Sequence, residues 1–232
     1  MGNFYITGDK HGDMRCFKPF SNKYDTLEDD VMIILGDAGL NYHLDFHDIL
    51  KKDYLKYTPL TFFCVHGNHE ERPAIVGGYK LKEFLGAKAY IEDMYPNIYF
   101  AKDGEIYDFD GKKVICIGGA YSVDKDVRLM RGWNWFESEQ PDEEIKAFVE
   151  SQLDKVNWNI DYVLTHTCPS KYIPTDCFIN GVNQEGVDRS TEEWLDYIET
   201  KLNYKKWFCG HWHTDRLVDN IRFMFNDIIE LR

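Results

Sequence analysis

Side chains that commonly bind metal ions follow five short apolar stretches of this 232-residue chain. They lie in residues 8–12 (GDKHG), 36–39 (GDAG), 67–70 (GNHE), 165–167 (THT) and 210–213 (GHWH). Carboxylate, amide and imidazole donors of this kind suit Mn²⁺, Fe or Zn²⁺ better than Ca²⁺ or a thiolate site. Four of the five segments also contain glycine, which lets the backbone turn sharply after a strand.

Each segment alone is a weak signal. A Gly-Asp pair commonly marks only a turn, and a buried histidine is more often a hydrogen-bonded core residue than a metal ligand. Recurrence after five strand-like stretches is harder to explain in that way, because an isolated Asp or His in apolar surroundings carries a desolvation cost that metal coordination removes. The nearby Lys10 supplies too little positive charge for so many donors. The sequence therefore favours a metal centre.

The apolar stretches before these segments predict strands. They are short and continuous rather than alternating, which is typical of strands covered on both faces. We predict strands at residues 3–7, 31–35, 60–65, 113–117, 162–165 and 207–209, and helices at 44–57, 142–154 and 191–202. Pro141 followed by three acidic residues marks the start of the second helix. This alternation predicts an α/β domain with functional loops at the carboxyl ends of its strands.

Residues 89–110 depart from that alternation. Three short runs with turn residues between them, at 89–94, 97–100 and 105–109, predict antiparallel strands, so we expect a second, mixed sheet packed on the first. No repeat, low-complexity tract or linker interrupts residues 1–232, which favours a single domain. Residues 121–140 and 167–190 are expected to be irregular loops that cover the site.

Taken in order, the five segments resemble the DxH, GD, GNH(D/E), H and GHxH pattern of the calcineurin-like metallophosphoesterases. The matching residues run from Asp9 to His213 and so span nearly the whole chain. Residues 118–125 and 131–136 are also similar to small stand-alone phosphoesterases of bacteria and phages. The resemblance implies an α/β fold, a four-layer αββα sandwich of two mixed sheets with flanking helices. It also implies metal-dependent hydrolysis of phosphoesters, in which a hydroxide bridging two metal ions attacks phosphorus.

The same resemblance assigns roles to individual residues. One divalent ion would be held by Asp9, His11 and His213 and the other by Asn68, His166 and His211, with the Asp37 carboxylate bridging both. Mn²⁺ is the expected metal, with Fe or Zn²⁺ as alternatives. His69 is not a ligand in this scheme and would act as general acid or hydrogen-bond donor toward the leaving group. Glu70 would cap or begin the following helix, and Trp212 would pack or line the rim of the site.

The stretch after Asp37 separates this chain from one branch that it otherwise resembles, the phosphoprotein and diadenosine-tetraphosphate phosphatases. In that branch an Asp-Arg pair or a nearby Arg orients the catalytic histidine and clamps phosphate. Residues 38–42 read AGLNY here, and these side chains cannot replace those charges. The partner of His69 is therefore unidentified. Phosphate binding is expected instead from Arg15, Arg128 and Arg131, although each could equally form a surface ion pair.

Composition limits the range of partners. The chain carries 40 acidic and 27 basic residues, a formal net charge of −13, and no Lys/Arg-rich run. This argues against long nucleic acids and anionic membranes and favours a small phosphoester, such as a nucleotide or another monoester or diester. No apolar run approaches the roughly 20 residues that cross a bilayer, and no signal peptide is evident. Six cysteines without a CxxC pair favour reduced thiols in a cytoplasmic protein.

Other interpretations stay open beside a phosphoester hydrolase. A phosphoprotein phosphatase would use the same metal centre, and a non-catalytic scaffold could keep the fold and use its surface to hold partners. Degenerate relatives normally lose ligand positions, and none is lost in this sequence. A structural zinc protein fits poorly, because Asn68 and the bridging Asp37 have no role in a closed tetrahedral site.

Overall fold

The computed structural model describes residues 2–179 and 181–231 and shows two mixed β-sheets with helices on their outer faces. The strands are β1 (Phe4–Thr7), β2 (Val31–Ile34), β3 (Thr61–Cys64), β4 (Tyr79–Phe84), β5 (Ala87–Glu92), β6 (Ile98–Ala101), β7 (Ile106–Phe109), β8 (Lys112–Ile117), β9 (Tyr162–Thr165), β10 (Lys206–Cys209), β11 (Arg216–Val218), β12 (Ile221–Phe223) and β13 (Ile229–Glu230). The helices are α1 (Phe17–Tyr24), α2 (Phe46–Lys56), α3 (Lys125–Arg131), α4 (Glu143–Lys155) and α5 (Ser190–Lys201). Every predicted strand and helix is present, with ends shifted by one or two residues at most.

The first sheet has the order β13-β1-β2-β3-β6-β5-β4, and the second has the order β11-β12-β10-β9-β8-β7. In the first sheet β1, β2, β3 and β6 are parallel, and in the second β8, β9, β10 and β12 are parallel. The predicted second sheet is confirmed, but residues 89–110 do not build it alone. β5 and β6 join the first sheet, β7 pairs with β8 in the second, and β6 runs parallel to β3.

Three apolar cores hold the layers together. One lies between the two sheets, one lies between the first sheet and α1 and α2, and one lies between the second sheet and α4 and α5. Successive side chains of a strand point to opposite faces. In β2, for example, Ile33 joins the core between the sheets while Met32 and Ile34 face the helices. Burial on both faces explains why the apolar runs are continuous, and the four-layer αββα arrangement is confirmed.

The structure corrects the prediction for residues 121–140, which are not wholly irregular. They contain α3, and this helix buries an arginine while it exposes its apolar side chains: Arg128 is 1% exposed, whereas Leu129 is 54% and Met130 79% exposed. The usual apolar periodicity of a helix is therefore reversed. The edge strand β4 also escaped prediction, because four of its six residues are exposed and form no apolar run. Among the described residues, no helix is long and apolar enough to cross a membrane.

Candidate metal centre

The carboxyl ends of five strands bring the five segments together. β1, β2 and β3 are parallel neighbours in one sheet, and β9 and β10 are parallel neighbours in the other. Parallel strands end at the same edge of a sheet, so the loops that follow them meet there. Hydrogen bonds join these loops. The N–H of His11 donates to the carbonyl oxygen of Asp37 at 2.7 Å, and the N–H of His211 donates to Asp9 Oδ1 at 2.9 Å.

Asp9, His11 and His213 form a first group of potential metal ligands. Asp9 Oδ2 is buried and accepts no hydrogen bond of normal geometry from the described residues; it lies 3.1 Å from His213 Nε2 and 3.9 Å from His11 Nε2. The two Nε2 atoms lie 2.9 Å apart. Burial alone would raise the pKa of Asp9, but the contact with His213 and the neighbouring imidazoles hold that pKa below its ordinary value. A buried carboxylate oxygen that faces two ring nitrogens fits a divalent cation.

Asn68, His166 and His211 form a second group. Asn68 Oδ1 lies 2.7 Å from His166 Nε2 and 3.1 Å from His211 Nδ1. Contacts outside the group orient two of these side chains. The Asn68 amide nitrogen donates to Ser122 Oγ at 2.8 Å, and His166 Nδ1 donates to the carbonyl oxygen of Leu35 at 2.8 Å. Asn68 Oδ1 and His166 Nε2 are thereby left as the acceptors, which is how outer contacts commonly orient metal ligands.

Asp37 lies between the two groups. Its Oδ1 accepts a hydrogen bond from the backbone N–H of His69 at 2.7 Å. Its Oδ2 lies 3.6 Å from His166 Nε2 and 3.9 Å from His11 Nδ1, so this oxygen faces one imidazole from each group. Asp9, Asp37 and His166 also bring potential ligand atoms within 4.8 Å of one another. These carboxylate, amide and imidazole donors therefore fit the binding of divalent metal ions.

Four of the potential ligands have strained backbones. The φ angles of His11, Asp37, His211 and His213 are 44°, 48°, 64° and 47°. The left-handed region costs a residue with a side chain about 1–2 kcal/mol. Such conformations persist only where the surrounding structure enforces them, and they cluster at functional sites. The fold thus maintains several unfavourable conformations that direct these side chains to one place.

Three glycines leave space that the ligands occupy. A Cβ atom at Gly36 would lie 2.0 Å from His166 Nδ1, one at Gly67 would lie 2.1 Å from Asp37 Oδ1, and one at Gly210 would lie 2.3 Å from Asp9 Oδ1. Each separation is far below van der Waals contact, so a larger residue at any of these positions would displace a ligand. Glycine in these segments therefore serves close packing as well as turning.

His69 contacts a buried arginine. Arg128 Nη2 touches the His69 ring, Arg128 Nε donates to Asp124 Oδ2 at 2.9 Å, and Arg128 Nη1 is buried with no partner among the described residues. Burial and then the positive charge of Arg128 lower the pKa of His69 to about 3. The imidazole is therefore neutral near pH 7, a form that can donate one N–H hydrogen bond.

The other two candidate arginines lie farther out. The Arg15 side chain is 88% exposed and pairs with Asp13 through Nε–Oδ1 at 2.8 Å and Nη2–Oδ2 at 2.6 Å. Arg131 is exposed, and its guanidinium carbon lies 4.9 Å from the centroid of the Trp133 ring. Arg15, Arg128 and Arg131 are all absent from the lining of the cavity that opens beside the metal centre. A direct contact between any of them and substrate stays a prediction.

Glu70 does not begin a helix, so that prediction is wrong. The residues that follow it form turns, and its carboxylate is fully buried. The N–H groups of Gly39 and Gly67 donate to this carboxylate at 3.1 and 3.2 Å. Burial and then the negative charge of Asp37 raise the pKa of Glu70 to about 8. Glu70 therefore joins the loops after β2 and β3, which carry Asp37 and Asn68.

Other side chains at the site also escaped the sequence analysis. Ser122 and Asp124 lie just before α3, and Ser122 reaches Asn68 across 54 positions of sequence. A signal was present in the pair Gly118-Gly119, which follows β8 and marks a further strand end beside β9. The loop after β8 therefore carries the residues that orient Asn68 and His69.

The chain is similar to a known protein family and, in its fold, to a solved structure. The family model for calcineurin-like phosphoesterases matches residues 2–215, and the chain belongs to that family of metal-dependent phosphoester hydrolases. A solved crystal structure that is 15% identical covers 98% of this chain and 94% of its own, with a TM-score of 0.53, and it shares the fold. The protein of unknown function AQ665 from Aquifex aeolicus is 12% identical over 88% of both chains, with a TM-score of 0.37. No curated protein matches the sequence.

Proposed function

We propose that this protein hydrolyses a small phosphoester with a centre of two divalent metal ions. The position of Asp37 carries the proposal, because potential ligand atoms of Asp37, of Asp9 in the first group and of His166 in the second all lie within 4.8 Å of one another. Two ions bound there would activate water and polarise the phosphoryl oxygens. Mn²⁺ suits the mixed carboxylate, amide and imidazole donors, with Fe or Zn²⁺ as alternatives.

His69 would act on the leaving group. Its ring lies beside that of His11, with centroids 4.9 Å apart, and it lines the cavity next to the metal centre. As a neutral imidazole it would donate an N–H hydrogen bond to the leaving-group or phosphoryl oxygen, rather than arrive already protonated. Arg128 contacts both nitrogens of the ring and is in turn held by Asp124. This pair takes the place of the Asp-Arg feature of the phosphoprotein phosphatase branch.

Loss of ligands tests the proposal. Asp37→Asn and His211→Ala should abolish nearly all turnover of p-nitrophenyl phosphate or bis-p-nitrophenyl phosphate in Mn²⁺ and should lower the metal content measured by mass spectrometry. Asp29→Asn is the control for Asp37→Asn, since Asp29 is exposed and lies in the turn before β2, at the opposite end of that strand from Asp37. Circular dichroism would verify that all three variants fold. Turnover like that of the natural protein in either ligand variant would refute the proposal.

Substrate panels separate the remaining possibilities. If the protein is chiefly a diesterase, it should cleave the bis-aryl phosphate faster than the mono-aryl phosphate, and the reverse ranking would reject that reading. Preferential hydrolysis of phosphopeptides over both would favour a phosphoprotein phosphatase. Two bound metal ions per chain with no hydrolysis of any phosphoester would instead favour a non-catalytic scaffold.

A further inference from the structure

A cavity of about 340 Å³ opens directly beside the metal centre. His69, His211 and other site residues line one side of it. The segment between β9 and α5 contributes a largely apolar part of the lining, which includes Ile173, Phe178, Val182 and Val187. Apolar contacts do not stabilise a charged phosphate group, so this part of the cavity fits the organic part of an ester better.

Two polar atoms of cavity-lining residues are buried without a partner among the described residues. Glu192 is 4% exposed; its Oε1 accepts a hydrogen bond from Thr167 Oγ1 at 2.8 Å, but its Oε2 has no partner. The indole Nε1 of Trp212 is also buried and unpartnered. Buried polar groups are normally satisfied. Both atoms are covered in the structure, so a ligand that offers a donor to Glu192 and an acceptor to Trp212 would satisfy both once these side chains turn toward the cavity.

The lining also presents aromatic surface. The rings of Phe178 and Trp212 lie 6.1 Å apart between centroids and are tilted by 31°. No third ring fits between them at that separation, so a planar ligand would pack against an exposed face. Arg189 also lines the cavity, and its guanidinium carbon lies 5.9 Å from the Phe178 ring. The combination of aromatic surface with one free acceptor and one free donor matches a planar heterocycle better than an alkyl group.

Resting on the proposed function, we propose that this cavity binds the nucleobase of a nucleoside phosphate ester. An N–H group of the base would donate to Glu192 Oε2, and a base acceptor would receive the Trp212 Nε1–H. The volume is near the lower end of the about 300–1,000 Å³ common for ligand pockets. It therefore suits one base with part of its sugar.

The test compares ligands that differ only in the base. Isothermal titration calorimetry with the Mn²⁺-loaded protein would give dissociation constants for the four ribonucleoside 5′-monophosphates and for ribose 5-phosphate, each used as its methylene phosphonate analogue, which the protein cannot hydrolyse. Stacking and hydrogen bonding should make at least one nucleotide bind about tenfold or more tightly than ribose 5-phosphate. Equal dissociation constants for all five compounds would overturn the proposal.

Substitutions then locate the base. Glu192→Gln keeps an oxygen for Thr167 but turns the unpartnered acceptor into a donor. The dissociation constant for ribose 5-phosphate divided by that for the tightest-binding nucleotide should therefore fall about five- to tenfold. The ratio is measured within each variant, so a change in metal content or phosphate affinity cancels. Phe178→Ala should also lower it, whereas Glu193→Gln, on the exposed face of the same helix, should leave it unchanged. A ratio preserved in both Glu192→Gln and Phe178→Ala would refute the assignment.

Failure of this proposal is distinguishable from failure of the proposed function. A protein that hydrolyses aryl phosphates with Mn²⁺ but binds ribose 5-phosphate as tightly as every nucleotide is a phosphoesterase without a base site. The calorimetric ratio does not depend on turnover. Base-dependent binding without hydrolysis of any ester would therefore support the base site while it contradicts the proposed function.

Discussion

Replacing Gly36 with alanine should damage the second ligand group while the overall fold survives. Gly36 has a φ of +88°, and a Cβ atom there would lie 2.0 Å from His166 Nδ1. Ordinary contact begins near 3.4 Å, so the imidazole must move by roughly 1.4 Å (3.4 − 2.0). That movement breaks the 2.8 Å hydrogen bond from His166 Nδ1 to the carbonyl oxygen of Leu35. It also carries His166 Nε2 away from Asn68 Oδ1.

The size of the effect follows from two contributions to the free energy of unfolding. Alanine at positive φ costs about 1–2 kcal/mol, and loss of the buried hydrogen bond costs about 1–3 kcal/mol, for a total of about 2–5 kcal/mol. Gly111→Ala is the control. Gly111 has a φ of +79°, lies in the turn between β7 and β8, and has no atom within 4 Å of a Cβ. It should lose only the first contribution, so the difference between the variants isolates His166.

Urea unfolding monitored by circular dichroism would give both free energies, and mass spectrometry would give the number of Mn²⁺ ions per chain. Gly36→Ala should be less stable than Gly111→Ala by about 1–3 kcal/mol and should bind fewer ions than the natural protein. Gly111→Ala should keep its metal content. The reasoning is refuted if both variants have the same unfolding midpoint and the same metal content.

Three further predictions concern the metals, Arg128 and Glu70. Removal of two divalent ions with a chelator should lower the melting temperature by about 10–20 °C, if ions were present near 100 times their dissociation constant, and Mn²⁺ should restore it; an unchanged melting temperature in protein verified to be metal-free would contradict this. Arg128→Met should lower kcat on aryl phosphates about 100-fold, and more than Arg131→Met, because only Arg128 contacts His69; equal effects in steady-state kinetics would contradict it. Glu70→Gln should lower the free energy of unfolding by about 1–3 kcal/mol, because the new amide group cannot accept from both Gly39 and Gly67; an unchanged urea midpoint would show that this bridge does not matter.

The metal centre could be anticipated because its residues sit at ends of strands that local sequence defines. A continuous apolar run such as residues 31–34 predicts a strand covered on both faces, and the glycine and carboxylate after it mark its end. Parallel strands bring such ends to one edge regardless of their distance along the chain. The meeting of Asp9, Asp37 and His211 therefore followed from five local patterns.

Residues 121–140 show why other features could not be anticipated. Sequence patterns predict a helix by the apolar face that it buries, but α3 buries Arg128 against His69 and leaves Met130 exposed. The reason for that orientation is a hydrogen-bond partner, His69, on a loop 59 positions away. Glu70 is a similar case, since a glutamate after a Gly-Asn-His segment suggests an exposed cap. Only the packing of two loops around it makes it a buried carboxylate.

The sequence by itself thus determined most of the strands and helices, the two-sheet fold and the set of side chains offered to metal ions, because short-range apolar patterns and turn residues encode where strands end. The tertiary structure alone decided which oxygen and nitrogen atoms face each other, that Arg128 is the partner of His69, and that Glu192 and Trp212 leave unpartnered atoms beside an apolar cavity. These contacts join residues that are distant in sequence, and their geometry depends on the packing of whole layers rather than on any local pattern.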